Sequence, residues 1–296
     1  MKLTAVFSAL LLFACAGLGA AQAQAPALDV HRDIVYATGG GVPLHLDIYA
    51  PKSAMPLPVV MWIHGGGWKA GDKNDHTFFN ITNLGFALVV IDYRLSQQAI
   101  FPAQIYDCKA SVRWVRANAD KYHYNADKIG LVGDSAGGHL VALLGTTAND
   151  PKLEGDEGNV GVSSAVQAVV DYYGPTDFIS LPDQVTPEQR ANLDNPVTHL
   201  FGAPIWNKGP VVGLQDQARL ASPVSHITPS SSPFFILHGD HDPIVPLQQS
   251  VEFNDALQKA GVETHLAVIK GGGHGFNDPP SQQAAIDFLK KHLDLP

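Results

Sequence analysis

A chain of 296 residues with 45% hydrophobic and 16% charged residues carries enough apolar material for a large core, which excludes disorder as its main state. Asp and Glu number 28 against 19 Lys and Arg, for a net charge of −9, and no long basic run exists. The positive stripe that nucleic-acid binding needs is therefore missing.

Residues 1–25 differ from everything after them. Lys2 gives a positive start, residues 6–13 are apolar except Ser8, and the stretch from Ala14 on is small and Ala-rich. Ala21, Ala23 and Ala25 place small residues at −3 and −1 of two cut sites. This is the layout of a signal peptide cleaved near Ala25, so an exported protein is expected, periplasmic or extracellular, with residues 26–296 as its mature domain. The apolar run is well below the ~20 residues of a membrane span, and no other segment approaches that length. Lipoprotein processing at Cys15 is disfavoured by bulky Phe13. Cys108 then remains alone on the apolar face of a predicted helix, where it reads as a small buried hydrophobe rather than a reactive thiol.

Beyond the leader, residues 33–36 and 44–49 read as two strands joined by Gly39, Gly40 and Gly41, a hairpin. Residues 58–64 (PVVMWIH), 87–92 (ALVVID) and 128–133 (KIGLVG) are apolar runs expected to be strands buried on both faces. Residues 165–172 and 233–238 are two more, and 265–269 is extended. Helical spacing occupies 103–119, 136–147, 247–260 and 281–293. Buried strands alternating with helices predict an α/β fold: a mostly parallel central sheet with an antiparallel N-terminal hairpin and helices on both faces. Residues 176–232 break the rhythm. They hold Pro182, Pro187, Pro196, Pro204 and Pro210, and read as an irregular insertion forming a lid or loop wall over the sheet's carboxyl edge.

Chemistry concentrates at the predicted strand ends. Gly133, Asp134, Ser135, Ala136, Gly137 and Gly138 lie between a strand and a helix. A Ser there sits on a tight elbow with its hydroxyl above the sheet and the helix N-terminus aimed at it. The bland alternative is a Gly-rich turn that packs helix on strand. His64, Gly65, Gly66 and Gly67 follow another strand. Gly66 and Gly67 allow amides to turn toward a developing oxyanion, and His64 braces the loop. His238, Gly239, Asp240, His241 and Asp242 end a third strand, and Gly271, Gly272, Gly273 and His274 a fourth. The order Ser135, Asp, His274 is that of α/β-hydrolases. Asp240 and Asp242 both remain candidates for the acid from spacing alone. A metal cluster of His238, Asp240, His241 and Asp242 is disfavoured, because ligands so close in sequence wrap poorly round one ion.

Together HGGGWKAGDK (64–73), DYRL (92–95), FPAQIYDCKASVRWVRANA (101–119) and GDSAGGHLVA (133–142) resemble the HGG-containing esterases of the hormone-sensitive-lipase-related group, closest to the bacterial feruloyl and acetyl-xylan esterase-like family. That resemblance implies a serine carboxylic-ester hydrolase with Ser135 as nucleophile, His274 as base, and Gly66, Gly67 and Ala136 as oxyanion donors. The family pattern HGxxDxxVP, here His238 to Pro246, selects Asp242 over Asp240. A large N-terminal helical cap of classical relatives is missing. Neither metal nor organic cofactor is implied; the expected substrate is a small-molecule or oligosaccharide ester, with acetylated or feruloylated carbohydrate as the example.

Trp68 is read either as a wall of the acyl pocket or as loop packing. Phe201, Ile205 and Trp206 form either an apolar lid or an anchor for the insertion, and Tyr93 and Arg94 brace loops. The rival activities are amide cleavage by an arylformamidase or small peptidase, and, further off, a non-enzymatic binding protein on a hydrolase fold.

Overall fold

A computed structural model describes residues 27–75, 79–148, 150–192, 194–203 and 214–295. The expected export segment, and Ile205 and Trp206, lie outside them. In chain order the elements are β1 (Leu28–Gly39), β2 (Val42–Pro51), β3 (Leu57–Ile63), β4 (Ala87–Ile91), α1 (Ala103–Ala117), α2 (Ala119–Tyr122), β5 (Tyr124–Asp134), α3 (Ala136–Thr146) and β6 (Ala168–Tyr172). There follow α4 (Leu181–Gln184), α5 (Pro187–Ala191), α6 (Pro196–Phe201), α7 (Leu214–Ala221), β7 (Phe234–Gly239), α8 (Leu247–Lys259), β8 (Thr264–Ile269) and α9 (Pro279–His292). Among the described residues, eight strands form one sheet in the order β1-β2-β4-β3-β5-β6-β7-β8. β1 and β2 pair antiparallel, as do β2 and β4, and the remaining pairs are parallel.

The central strands explain the unbroken apolar runs. In β3, Val59, Met61 and Ile63 face the core under α1 and α3, while Val60 and Trp62 face the core under α9. Both faces are covered, so neither needs polar residues. Each such side chain contributes roughly 1.5–3 kcal/mol on burial. Cys108 is fully buried on α1, and burial pushes its thiol pKa well up. No described helix is long and apolar enough to cross a membrane.

Two regions differ from the sequence reading. β1 begins five residues earlier than residue 33, where the expected strand starts, because register shifts between His31 and Ile34 and between Val35 and Ala37 break the period-two pattern. The 176–232 insertion is not irregular: its described part carries α4 to α7 and a 3-10 turn at Pro223–His226. Pro187 and Pro196 are the first residues of α5 and α6. At that position Pro loses no hydrogen bond and its fixed φ suits the helix, so these prolines start helices rather than interrupt them. Thr186 and Gln189 form a reciprocal capping box, and the Asn195 side chain accepts from the Thr198 amide. The insertion's two ends are tied together. The Phe178 amide donates to Ser222 Oγ at 2.9 Å and the Val224 amide to Thr176 O at 3.2 Å. Gln249 of α8 holds the same corner, its Oε1 accepting from the amides of Thr176 and Asp177. Phe201 is buried against Phe101 and Phe178, so it anchors the insertion.

A buried ionic network fastens α1 to the segment before β6. Arg94 pairs with Asp107 at 2.6 Å and with Glu157 at 2.7 Å. Lys109, wholly buried, pairs with Glu154, which Arg113 also meets. Truncating one partner strands a desolvated charge. Asp107→Ala is expected to lower unfolding free energy by about 3–5 kcal/mol in urea titration. Lys291→Ala, which breaks an exposed pair with Glu263, is expected to cost less than about 1 kcal/mol.

Candidate active site

The site is built outward from the turn between β5 and α3. Ser135 has φ 52°, a left-handed conformation that costs an L-residue of order 1–3 kcal/mol and is seen where surrounding structure imposes it. Glycines make it possible. A Cβ on Gly137 would stand 2.0 Å from the carbonyl oxygen of Ile63, and one on Gly133 would stand 2.5 Å from that of Gly137. The Ser135 amide donates to Tyr172 O at 2.8 Å, which locks the turn to β6. The Ser135 hydroxyl donates to His274 Nε2 at 2.9 Å, and His274 Nδ1 donates to Asp242 Oδ2 at 2.8 Å. Three side chains far apart in sequence are thus brought into one relay, each from the loop after a parallel strand.

Asp242 is fully buried. Burial alone would raise its pKa. Hydrogen bonds from His238, from His274 and from the Ile244 amide outweigh that and hold it well below the usual carboxylate range. His238 is the second imidazole on this carboxylate: its Nε2 lies 3.3 Å from Asp242 Oδ2 and 2.9 Å from Val245 O, while Nδ1 meets Ser250 Oγ at 2.7 Å. Asp240 points elsewhere, accepting from the Gly271 amide and from His241. The four-residue His/Asp cluster therefore divides between different partners.

Gly66, Gly67 and Trp68 all have positive φ, at 92°, 60° and 56°. His64 is buried with Nδ1 donating to Gly65 O at 2.9 Å and its ring stacked on Tyr93 at 4.3 Å. The Tyr93 hydroxyl donates to the carbonyls of His64 and Gly65. His64, Tyr93 and Arg94 thus all brace. The Asp134 carboxylate packs against the Gly65 backbone, with Oδ2 2.8 Å from where a Cβ would stand, linking this loop to the Ser135 turn. Gly66, Gly67, Trp68, Ser135, Ala136 and His274 line one cavity of about 580 Å³, walled across from them by Leu181, Val185 and Val197 of the insertion. Ala136 is the first residue of α3, where the amide has no partner within the helix. Trp68 serves in both proposed ways, lining the cavity while its indole packs on His139 and Phe178.

Three residues here, two of them buried, escaped the sequence reading. His139, four residues after Ser135 on α3, accepts from Trp68 Nε1 at 3.2 Å through Nδ1 and donates from Nε2 to Ala221 O at 2.8 Å. This fixes the neutral tautomer and ties the HGGG loop to the end of α7. Its signal was a lone polar residue in an apolar helix. Tyr173, at φ 45°, lays its ring 4.7 Å from that of His274. Asp171, fully buried, accepts from the Gly174 amide at 2.9 Å.

The BD-FAE family model matches residues 46–257. The chain belongs to the BD-FAE family. It is 34% identical over 289 residues to the probable carboxylic ester hydrolase LipM of Mycobacterium tuberculosis, covering 93% of this chain and 62% of that protein. Among solved structures it resembles a truncated carbohydrate esterase from gut microbiota, with a TM-score of 0.75, 29% identity, and coverage of 92% of this chain and 100% of that one. A bifunctional GH43-CE protein of Bacteroides eggerthii gives 0.77 and 35%, with 89% of this chain and 38% of that one covered. The chain spans about 57–62% of the length of LipM and of two further curated relatives that it matches. The sheet order and these likenesses establish the α/β-hydrolase fold.

Burial makes two of the missed groups pH-sensitive in opposite directions. It lowers the His139 pKa from 6.5 to about 4, so the unfolded chain binds a proton that the folded one refuses. Stability from this group is full above 6.5 and is lost as pH falls toward 4. It raises the Asp171 pKa from 3.8 to about 6, so the fold favours the protonated acid, and stability from that group is lost as pH rises through 6. His139→Gln removes only the first effect. Between about pH 7 and about pH 4.5 the variant should lose about 2–3 kcal/mol less stability than the unaltered chain, read from urea midpoints.

Proposed function

We propose that the chain is a serine carboxylic-ester hydrolase acting through Ser135, His274 and Asp242, and that its substrates are short-chain or aromatic acyl esters of carbohydrate. The observation that carries this reading is the hydrogen-bonded relay from Ser135 Oγ through His274 to Asp242, set on a strained elbow at the wall of an apolar cavity.

In this mechanism Ser135 Oγ attacks the ester carbonyl carbon as His274 Nε2 takes the hydroxyl proton. Asp242, held charged by its donors, orients the imidazole and stabilises its protonated form. The carbonyl oxygen takes up negative charge and is met by the amides of Gly66, Gly67 and Ala136; one such donor is worth about 3–4 kcal/mol of barrier. The tetrahedral adduct collapses, the alkoxide leaves with the proton from His274, and an acyl-Ser135 ester remains. Water then attacks that ester, gives its proton to His274, and frees the acid and the Ser135 hydroxyl.

Support for an ester substrate comes from the relatives named esterase and carboxylic ester hydrolase, and for a carbohydrate partner from the neighbour described as a carbohydrate esterase. Export, with cleavage near Ala25, is proposed on the three-part character of residues 1–25, and suits an acylated polysaccharide met outside the cytoplasm.

With p-nitrophenyl acetate as substrate, Ser135→Ala should abolish turnover and labelling by a fluorophosphonate probe while leaving the circular dichroism spectrum intact. Asp242→Asn should cost on the order of 10⁴ in kcat, because the wrong imidazole tautomer is then held. Asp240→Asn should cost far less; the reverse ranking would show that the acid is Asp240. Matched ester and anilide substrates separate this reading from amide cleavage.

A further inference from the structure

A second hollow, of about 990 Å³, opens beside the same turn on the side of α9. It shares Gly66, Asp134 and Tyr173 with the first cavity, so the two meet at residues that flank the Ser135 turn, while Ser135 and His274 themselves line the first. Their walls differ in kind. The first is faced by aliphatic side chains, and its amide side chains are engaged within the insertion and its neighbours. Gln189 caps α5 and donates to Pro243 O, Asn192 accepts from the Asp194 amide, and Asn195 caps α6. Among the described residues these amides are thus partly committed to holding the insertion.

The second hollow has an aromatic bank. Tyr173 and Phe276 lie 5.5 Å apart at 73°, Tyr172 and Phe276 6.1 Å apart at 32°, and Tyr173 continues the bank to His274. Asn277, exposed, and Gln282, half-buried on α9, line the same hollow. Among the described residues neither amide side chain has a hydrogen-bond partner. A pyranose ring has a face of C–H groups and a girdle of hydroxyls. Flat aromatic sides cover the first, and uncommitted amides, each donor and acceptor, satisfy the second.

The geometry points to a division of the ester: the acyl group enters the first cavity, and the second hollow binds the sugar that carries it. The sugar is a neutral one. Asp75 and Asp134 line the hollow, and its described lining includes no Lys or Arg, so a uronic acid would meet only like charge. This assignment rests on the ester-hydrolase reading above and adds to it which surface recognises the alcohol.

The test is the ratio of kcat/KM for an acetylated neutral xylo-oligosaccharide to that for p-nitrophenyl acetate, measured for the unaltered chain, for Gln282→Ala and for Asn277→Ala/Gln282→Ala. Losing these hydrogen bonds should lower the ratio about ten-fold in the double variant, mostly through KM for the sugar ester. Gln282→Ala, a single change at a half-buried position in the first turn of α9, covers the case in which the double variant folds poorly, and should show part of the same fall. A ratio that stays within about two-fold in both variants overturns the sugar subsite while the hydrolase reading stands. Failure of the unaltered chain to cleave either ester overturns the hydrolase reading, and the subsite with it.

Discussion

The N-terminus of α3 lies closer to the sheet than any side chain at Gly137 would permit, and the arrangement of the site follows from that approach. With the Ile63 carbonyl at 2.0 Å from where a Cβ would stand, the chain must leave β5 through a residue of positive φ, and that residue is Ser135. The turn fixes three things at once. Its hydroxyl meets His274, the first residue of α3 lines the same space, and Asp134 is delivered against the backbone of Gly65. The HGGG loop is therefore not an independent feature. Asp134 packs against it at Gly65, and His64 and Tyr93 hydrogen-bond its carbonyls.

Two buried carboxylates near this turn show how hydrogen bonding decides the outcome of burial. Asp242 and Asp171 are both shut off from solvent, and desolvation presses on each to take up a proton. Asp242 receives two backbone amides on Oδ1 and two imidazoles on Oδ2, and stays charged. Asp171 receives the Gly174 amide on Oδ1, its Oδ2 is buried with no protein partner among the described residues, and its pKa climbs to about 6. Asp242 is placed to steady an imidazolium; Asp171, with one donor and packed against Gly138 and Gly174, takes up a proton far more readily.

Much of this was legible in the sequence because it rests on local rules. Strand β3 announced itself through an apolar run that two covered faces require. Gly133 to Gly138 announced the elbow, because only glycine tolerates such contacts. Ser135 and His274 stood out because each follows a strand; Asp242 was separated from Asp240 only by the family pattern, since both follow the same strand. What escaped depended on long-range packing. Nothing near His139 in sequence foretells that Trp68 and the end of α7 will meet its two nitrogens, and Tyr173 acquires meaning only when β8 brings His274 to it. The prolines of 176–232 were misread because Pro marks a break and a helix start with equal force, and only the caps at Thr186 and Asn195 distinguish them. The bulges in β1 erased the alternation by which a strand is recognised.

The stitching of Thr176 and Phe178 to Ser222 and Val224 has an evolutionary corollary. A segment whose ends meet at one fixed clasp can lengthen, shorten or change its face while the scaffold beneath senses only the clasp, and the entropic penalty of a longer loop grows only logarithmically. The aliphatic wall is thus an exchangeable cassette. Such a wall can be rewritten with no revision of the elbow or of the hydrogen-bonded side chains beside it.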